Sequence, residues 1–403
     1  MTSESLPFLP YGRHVVDDAD VRAVERVLKS DYLTSGSVTA AFETKLAEKT
    51  GAKNAVSVSS GTAALHLSAL SLNLGPGDIV VAPTITFIAT ANAVRYVGAE
   101  VVFTDVDPET GLMRPKDLLR ALEQTNGRAK ALFLVHLAGQ CPDMEGIIDI
   151  ARTNNLAIVE DASHALGTTY CNGGIEYAVG SCTDSDITIF SFHAVKTIAM
   201  GEGGAITTND QALAARLKRL RSHGVERSAS VFKNHAMAFT EGGNANPWYY
   251  EMQELGFNYR SSDIHCALGL SQLAKLEEFV SRRRYLVGLY DNILATMGPT
   301  IRALGRNPNC NPAWHLYVVL FDFGATTKTR ANLMGRLYDR GIGTQVHYIP
   351  VHYQPYYAKT KRPDLPDAQK YYERCLSLPL FPSMADSDVT RVCDAIGDAL
   401  KVN

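Results

Sequence analysis

The sequence predicts an α/β protein with a mostly parallel, doubly wound sheet and a smaller C-terminal α+β domain. The first observation is a repeated alternation of short apolar segments with amphipathic helical segments between residues 55 and 222. Apolar segments of this kind are typical of buried parallel strands that are joined by helices. The second observation is a change of pattern after residue 260, where a long helical stretch and a few scattered strands follow.

Length and composition agree with this division. A chain of 403 residues with 46% hydrophobic and 20% charged residues can form one large and one smaller domain, and broad disorder is excluded. The net charge of −3 provides no basic field for nucleic acid or an anionic membrane. Seven cysteines without a Cys-x-x-Cys pair favour free thiols in a reducing compartment. With no leader pattern and no run of about 18 apolar residues, we expect a cytoplasmic protein without a membrane partner.

The sequence pattern up to residue 260 predicts an N-terminal arm followed by the large domain. Residues 1–16 contain Pro7, Pro10 and Gly12 and indicate an extended arm, and residues 17–260 form the expected large domain. It opens with a helix from Asp17 or Asp18 and a second helix that ends near Thr50. The expected strands are 55–58, 79–82, 101–103, 131–135, 156–159, 187–192 and 205–208. The helices that alternate with them begin near 63 and cover about 86–97, 116–123, 144–153 and 211–222.

The sequence pattern after the large domain predicts a helical connector and the smaller domain. Residues 223–250 lack periodicity and indicate a long loop, which is more often functional or interfacial than idle. Residues 261–403 are expected to form a helical connector and the α+β domain. Its expected elements are a helical stretch over 262–297, strands 315–322 and 343–348, and helices 328–339, 366–375 and 387–400. The arginines at 282–284 are interpreted as a solvated helix face, with a phosphate-binding patch as the alternative.

Lys196 is the first candidate for chemistry. It lies in an apolar segment between an expected buried strand and the glycines at 201–204. Lysines are seldom buried, because an unpaired ammonium loses its hydration. A desolvated lysine can lose its proton near neutral pH and attack a carbonyl carbon. Lys196 is therefore a candidate Schiff-base residue.

Two further features fall at the carboxyl ends of expected strands, where open parallel sheets bind ligands. The turn at 60–62 precedes a helix, whose free amides can bind phosphate, although a small-residue cap is also common for structural reasons. Asp161 could either cap the next helix or pair with a cationic ring nitrogen. Ser191 lies five residues before Lys196. An amine for the aldehyde, a carboxylate for the ring nitrogen and a cup for the phosphate are together the three groups that bind pyridoxal 5′-phosphate (PLP).

Other side chains and other kinds of site were weighed against this hypothesis. Phe87 could face the cofactor ring or pack in the core, and His164 could reach the ring hydroxyl or be an interior histidine. The glycines at 201–204 do not join a strand to a helix as a dinucleotide site requires, and no Walker-type or Gly-x-Ser-x-Gly motif occurs. His347 and His352 have no third ligand at metal spacing, so no metal is expected.

Nearly the whole chain, about residues 8–400, resembles the DegT/DnrJ/StrS aminotransferases. The segments with the resemblance are 33–36, 60–65, 89–93, 160–167, 191–197, 201–204, 221–224 and 256–260. The resemblance implies PLP-dependent transferase fold type I and a homodimer whose active sites are shared across the interface. Within the family, residues 192–196, 267–273, 346–350 and His164 are most similar to enzymes of the pseudaminic acid pathway type.

The resemblance also implies roles for individual residues. Lys196 would be the catalytic Schiff-base lysine, Asp161 would pair with the ring nitrogen, His164 would meet the ring hydroxyl and Phe87 would stack on the ring. Gly61, Thr62 and Ser191 would hold the phosphate, and Asn258 would reach the phosphate of the neighbouring subunit. The residues that would line the sugar-nucleotide site are Tyr11, Asp31, Tyr32, Leu33, Thr34, His347 and Tyr348.

The implied reaction moves the amino group of L-glutamate to the 4-keto group of a UDP-linked 4-keto-6-deoxy-N-acetylhexosamine. A first alternative is a transaminase of the same family that acts on a different sugar or nucleotide. A second is a non-catalytic regulatory or binding protein on the same scaffold, because fold does not determine function. A PLP-dependent sugar dehydratase is a further rival in the family, but those proteins replace the lysine with histidine, and this chain has Lys196.

Overall fold

A seven-stranded sheet forms the centre of the larger part of the molecule. The structure is a computed structural model that describes residues 7–325, 328–359 and 363–400, so residues 1–6 of the expected arm lie outside the described residues. The strands are β1 (Asn54–Val58), β2 (Ile79–Pro83), β3 (Glu100–Thr104), β4 (Ala129–Val135), β5 (Ala157–Asp161), β6 (Thr169–Asn172), β7 (Ile175–Ala178), β8 (Ile187–Ser191), β9 (Gly204–Thr208), β10 (Val225–Glu226), β11 (Glu251–Met252), β12 (Ile301–Ala303), β13 (Cys310–Asn311), β14 (Tyr317–Phe321) and β15 (Cys375–Leu378).

Helices pack against this sheet and form much of the C-terminal part. They are α1 (Asp18–Leu28), α2 (Ser37–Thr50), α3 (Gly61–Ser71), α4 (Ile88–Tyr96), α5 (Pro115–Thr125), α6 (Met144–Thr153), α7 (Gln211–Leu220), α8 (His235–Ala238), α9 (Asp263–Leu273), α10 (Leu276–Leu294), α11 (Arg330–Asp339), α12 (Pro366–Arg374) and α13 (Asp386–Leu400). The side chain of Asp17 caps α1 by accepting from two amides of its first turn, and Gly51 ends α2 in the left-handed conformation.

The strand order of the central sheet is β1-β9-β8-β5-β4-β2-β3. The five strands from β8 to β3 pair in parallel, whereas β9 runs antiparallel to both β8 and β1. Six strands therefore point the same way, and their carboxyl ends meet at one edge. This arrangement confirms the predicted mostly parallel α/β fold.

A second, three-stranded sheet organises the C-terminal part. Its order is β12-β14-β15, and both pairings are antiparallel. Side chains from α10, α11 and α13 close a separate hydrophobic core over this sheet, which also includes Leu9 of the N-terminal arm. A small third sheet joins β13 of this part to β6 and β7 of the larger part. The arm and β13 therefore tie the two parts together.

The structure corrects three of the sequence predictions. The predicted strand at 343–348 is wrong: Gln345 makes one isolated bridge to Ser377, and the carbonyl of His347 accepts from the Tyr371 hydroxyl instead of from a strand. The helical stretch 262–297 is two helices, α9 and α10, which are broken where Lys275 forms ion pairs with Asp17 and Asp20.

The arginines at 282–284 are not a uniformly solvated face. Arg283 is 1% exposed, and its guanidinium donates to the carbonyl oxygens of Trp314, His315 and Leu380. A buried guanidinium is tolerated when backbone carbonyls replace its water. Arg283 therefore fixes the chain next to His315, and burial lowers its pKa to about 10.

Candidate active site

A cavity of about 570 Å³ opens at the carboxyl ends of β1, β2, β5 and β8. This is the edge of a parallel sheet at which ligands are expected to bind. The sequence-predicted residues that line the cavity are Tyr11, Gly61, Thr62, Phe87, Asp161, His164, Ser191, Lys196, His347 and Tyr348. The fold thus brings together ten residues from widely separated segments of the sequence.

The start of α3 and the end of β8 form a narrow cup on one side of the cavity. Ser60 caps α3, since its hydroxyl accepts from the amide of Ala63 at 3.1 Å. The amides of Gly61 and Thr62 have no hydrogen-bond acceptor among the described residues. A Cβ on Gly61 would lie 2.8 Å from Cβ of Ser191, so only glycine fits. Free amides at a helix N-terminus beside a serine hydroxyl suit a phosphate group.

Asp161 provides a fixed negative charge deeper in the cavity. It ends β5 and is only 6% exposed. The Thr90 hydroxyl donates to Oδ2 of Asp161 at 2.6 Å, and the Ser163 amide donates to Oδ1 at 3.1 Å. The Thr86 hydroxyl lies 2.8 Å from that of Thr90 and extends this network. These contacts hold the carboxylate in one orientation.

Lys196 lies in the connection between β8 and β9. This loop is closed at its base, because the Phe192 amide donates to the Gly203 carbonyl and the Met200 amide donates to the Phe192 carbonyl. Burial lowers the pKa of Lys196 to about 8, although the negative charge of Asp161 opposes this shift. A substantial fraction of Lys196 is therefore neutral, and nucleophilic, near physiological pH.

Three histidines surround Lys196 on the opposite wall. Burial, together with the positive charge of Lys196, holds the pKa of His164 and of His315 well below the usual range. The same causes lower the pKa of His347 to about 3. All three rings are consequently neutral at physiological pH, and they add no further positive charge to the cavity.

Aromatic rings form the outer wall. Phe87 is 55% exposed and lies 6.1 Å from Tyr348, measured between ring centroids. Tyr11, from the N-terminal arm, lies 5.5 Å from the ring of His347. The hydroxyl of Tyr348 lies 3.0 Å from Nε2 of His164. The mouth of the cavity is thus built from both parts of the chain and from the arm.

Five predicted residues do not line this cavity. Asp31 and Tyr32 line a second cavity of about 580 Å³ between α1 and α9. Leu33 accepts a backbone hydrogen bond from Asp263, and Thr34 pairs with Ser262 in an isolated bridge. Asn258 pairs in the same way with Ser222. Within a single chain these residues therefore lie apart from Lys196.

Several residues of the site were missed from the sequence. His315, Gln345 and Gln354 line the far wall of the cavity, and Thr90 lies behind the lining, where its hydroxyl donates to Asp161. Thr90 lies two positions into α4, one turn after Phe87, and that spacing could have indicated a shared face. His315 and the two glutamines come from a part of the chain that reaches the cavity only through the tertiary fold.

Two other features bear on the class of site. Within the described ranges, no three His, Cys, Asp or Glu side chains are grouped so that they could hold a metal ion. Among the helices that the structure describes, none has the length and apolar character that crossing a membrane requires.

The fold and the cavity define a PLP-dependent aminotransferase of fold type I. The sequence profile of the DegT/DnrJ/EryC1/StrS aminotransferase family matches residues 15–397, and the chain belongs to this family. The enzyme is an aminotransferase of the type that acts on sugars. This confirms the family and the cofactor that the sequence predicted.

Similar proteins span almost the full length of the chain. The spore coat polysaccharide biosynthesis protein SpsC of Bacillus subtilis is 38% identical over 98% of this chain and 97% of its own length. The aminotransferase TlmJ of Streptoalloteichus hindustanus is similar in structure, with a TM-score of 0.86, 30% identity, and coverage of 98% of this chain and 99% of TlmJ.

Two further solved structures are informative. PseC of Helicobacter pylori, an aminotransferase involved in the biosynthesis of pseudoaminic acid, has a TM-score of 0.84 and 29% identity, over 98% of this chain and 99% of PseC. Spr1654 of Streptococcus pneumoniae, described as a candidate sugar aminotransferase, has been solved in its PLP form. It has a TM-score of 0.85 and 27% identity, over 97% of this chain and 98% of Spr1654.

Proposed function

We propose that the enzyme transfers the amino group of L-glutamate to the 4-keto group of a UDP-linked 4-keto-6-deoxy-N-acetylhexosamine. The product class is that of UDP-4-amino-4,6-dideoxy-N-acetyl-β-L-altrosamine transaminase, the enzyme type of the pseudaminic acid pathway. The observation that carries the proposal is one cavity with Lys196, Asp161 and the cup at Gly61 and Ser191. The similarity to PseC supports the choice of sugar.

The side chains of the cavity fit PLP. The free amides of Gly61 and Thr62, with the Ser191 hydroxyl, would hold its phosphate, and a Cβ at residue 61 would fill this cup. The fixed carboxylate of Asp161 would pair with the protonated ring nitrogen, and Phe87 would cover one ring face. When bound, PLP supplies an electron sink that stabilises negative charge at the carbon from which a proton is removed.

Lys196 is proposed to move the protons of the reaction. Its neutral Nζ takes up the proton that leaves Cα of the amino donor, and its ammonium form later gives a proton to the sugar carbon that receives nitrogen. A pKa of about 8 allows both forms to be populated near neutral pH. The rings of His164, His315 and His347 are neutral, so they do not add a positive charge beside Lys196.

The sugar nucleotide is proposed to enter past Tyr11 and the His347–Tyr348 segment. Tyr11 and His347 line the mouth of the cavity, and their rings are 5.5 Å apart. Asp31, Tyr32, Leu33, Thr34 and Asn258 lie elsewhere in the chain, so we propose that they reach the site of a second copy in a cytoplasmic homodimer.

A different sugar or nucleotide is the second candidate. SpsC shares 38% identity with this chain, whereas PseC shares 29%, and SpsC is a spore coat polysaccharide protein. This difference favours a related keto sugar of surface polysaccharide synthesis as the alternative substrate.

The proposal is tested by incubating the PLP-loaded enzyme with L-glutamate and a panel of nucleotide-linked 4-keto sugars. We expect 2-oxoglutarate and an aminated UDP sugar, identified by mass spectrometry and NMR. Amination of a thymidine-linked sugar alone would favour the alternative. No amination of any keto sugar by a PLP-loaded, folded enzyme would contradict both.

A further inference from the structure

The hydroxyl of Tyr348 and the ring of His164 form one hydrogen-bonded unit inside the cavity. Tyr348 Oη lies 3.0 Å from His164 Nε2, and the two rings are stacked at an interplanar angle of 20°. On its other side, Nδ1 of His164 accepts from the backbone amide of Ala138 at 3.3 Å. Both nitrogens of His164 therefore have protein partners. The Tyr348 hydroxyl is the atom of this unit that can still make a hydrogen bond to a ligand.

The direction of the hydrogen bond follows from the backbone contact. A nitrogen that accepts from an amide has no proton of its own, and burial keeps the His164 ring neutral, so its proton is on Nε2. Nε2 then donates to Tyr348 Oη. Burial, together with the negative charge of Asp161, raises the pKa of Tyr348, which keeps its phenol protonated. The hydroxyl hydrogen of Tyr348 must point away from His164, toward an acceptor in the cavity.

The position of this unit indicates which acceptor it meets. Tyr348 and His164 line the same cavity as Asp161 and Lys196. The charge of Asp161 contributes to the raised pKa of Tyr348, and the charge of Lys196 contributes to the lowered pKa of His164. The unit therefore lies near both the anion for the ring nitrogen and the amine for the aldehyde. On the pyridine ring of PLP, the ring oxygen lies on the edge between the nitrogen and the aldehyde-bearing carbon. The phosphate arm is on the opposite edge of the ring.

The residue before Tyr348 is fixed by two hydrogen bonds. The neighbouring His347 has Nδ1 2.7 Å from the Ser377 hydroxyl, and its carbonyl accepts from the Tyr371 hydroxyl at 2.9 Å. Ser377 belongs to β15 and Tyr371 to α12, so two elements of the smaller part fix this segment. A donor held in this way loses little entropy when it meets a ligand.

We infer that Tyr348 presents the hydrogen-bond donor to the ring oxygen of PLP and that His164 is the positioning residue behind it. The inference rests on the proposed placement of PLP between Lys196 and Asp161. Under this inference Tyr348 contacts the cofactor instead of the sugar nucleotide. His164 then acts through Tyr348 and does not contact the ring hydroxyl itself.

The test measures PLP affinity by spectroscopic titration of the apoenzyme, without sugar or amino donor. Tyr348→Phe keeps the ring that packs on Phe87 and His164 but removes the donor, so we expect PLP binding to weaken about tenfold. Tyr11→Phe removes a hydroxyl from the same cavity without a bond to His164, and it should leave PLP affinity within twofold. Tyr338→Phe, at an exposed tyrosine of α11, controls for the substitution itself.

A double-mutant cycle tests the coupling to His164. In a His164→Leu background, Tyr348→Phe should weaken PLP binding by threefold or less, because the hydroxyl has already lost the partner that directs it. Unchanged PLP affinity in Tyr348→Phe, with or without a higher KM for the sugar, would overturn the inference. So would strictly additive effects in the cycle. Because no sugar is present, an error in the proposed substrate would not alter either result.

Discussion

Lys196 shows how the surroundings of a residue determine its chemistry. Burial lowers its pKa to about 8, and Asp161 limits how far it falls. The sequence predicted this behaviour from an apolar lysine beside glycines. The resemblance also placed His164 and His347 in the site, but His315 was missed, because it reaches the cavity only through the tertiary fold.

Replacing Lys196 tests its catalytic role directly. We expect Lys196→Ala to lower the transamination rate at least about 10³-fold, since both the nucleophile and the proton carrier are lost. The visible absorbance of the protein-bound cofactor should also change. Lys218→Ala, at an exposed lysine of α7, is the matched control and should retain full activity. Normal turnover by Lys196→Ala would contradict the mechanism.

The low pKa predicts how Lys196 reacts at different pH. A neutral amine is the reactive form, so labelling of Lys196 in the apoenzyme by an amine-selective reagent should rise with pH and level off above a midpoint of about 8. Because the charge of Asp161 raises this pKa, Asp161→Asn should move the midpoint to lower pH. Mass spectrometry of the Lys196 peptide measures the rate. A midpoint near that of exposed Lys218 would show that Lys196 is not desolvated.

Asp161 is expected to retain the cofactor. Asp161→Asn removes the charge that would keep the ring nitrogen protonated, so we expect faster loss of PLP on gel filtration and single-turnover rates at least about 10²-fold lower. Asp149→Asn, at an exposed aspartate of α6, is the control. If single-turnover rates are unchanged, Asp161 does not have this role.

At the scale of elements, the cup depends on the close approach of α3 to β8. A Cβ on residue 61 would lie 2.8 Å from Cβ of Ser191, and one on residue 204 would lie 2.4 Å from the Ser60 carbonyl oxygen. Glycine is therefore needed at both positions because it allows the backbones to approach closely, not because it makes the chain flexible. The sequence predicted the turn at 60–62 but not that β9 presses against it, because the pairing of β1 with β9 is not a local feature.

Gly61→Ala tests the cup. Overpacking of this kind costs about 1–3 kcal/mol, so we expect a lower melting temperature and much weaker PLP binding. Gly335→Ala in α11 has open space at the Cβ position and should stabilise the protein by up to about 1 kcal/mol. Thermal melting and PLP titration of both variants measure these effects. Unchanged PLP affinity in Gly61→Ala would mean that the phosphate lies elsewhere.

Elements whose periodicity is strong were predicted well, and elements that depend on distant contacts were not. The strands from β1 to β5 and the helices between them follow the predicted pattern closely. By contrast, α9 and α10 are separated at Lys275, which forms ion pairs with Asp17 and Asp20 in a distant part of the sequence. No window of the sequence contains both partners, so the break could not be predicted locally.

At the scale of the whole molecule, residues 225–255 form a segment with many exposed apolar side chains. Glu254 anchors its end by ion pairs with Arg216 and Arg219 at 3.0 and 2.8 Å. Its exposed apolar side chains include Met237, Trp248, Tyr250, Met252 and Leu255. Exposed apolar side chains in such number are typical of an interaction surface. We propose that this surface lies in the homodimer interface.

Leu255→Lys tests that proposal, since Leu255 is 76% exposed. We expect the variant to be folded but monomeric by sedimentation, and to have lower activity because residues of the second copy no longer reach the site. Ile175→Lys places the same charge on an exposed apolar position of β7 and should leave the sedimentation unchanged. A Leu255→Lys dimer would place the interface elsewhere.

The reversed strand β9 has a consequence for synthesis of the protein on the ribosome. In the central sheet β1 pairs only with β9, so residues 54–58 have no strand partner until residues 204–208 have been translated. At elongation rates of about 5–20 residues per second this wait lasts on the order of ten seconds. A nascent chain that ends before β9 therefore exposes the apolar edge of β1, and chaperones would have to shield it.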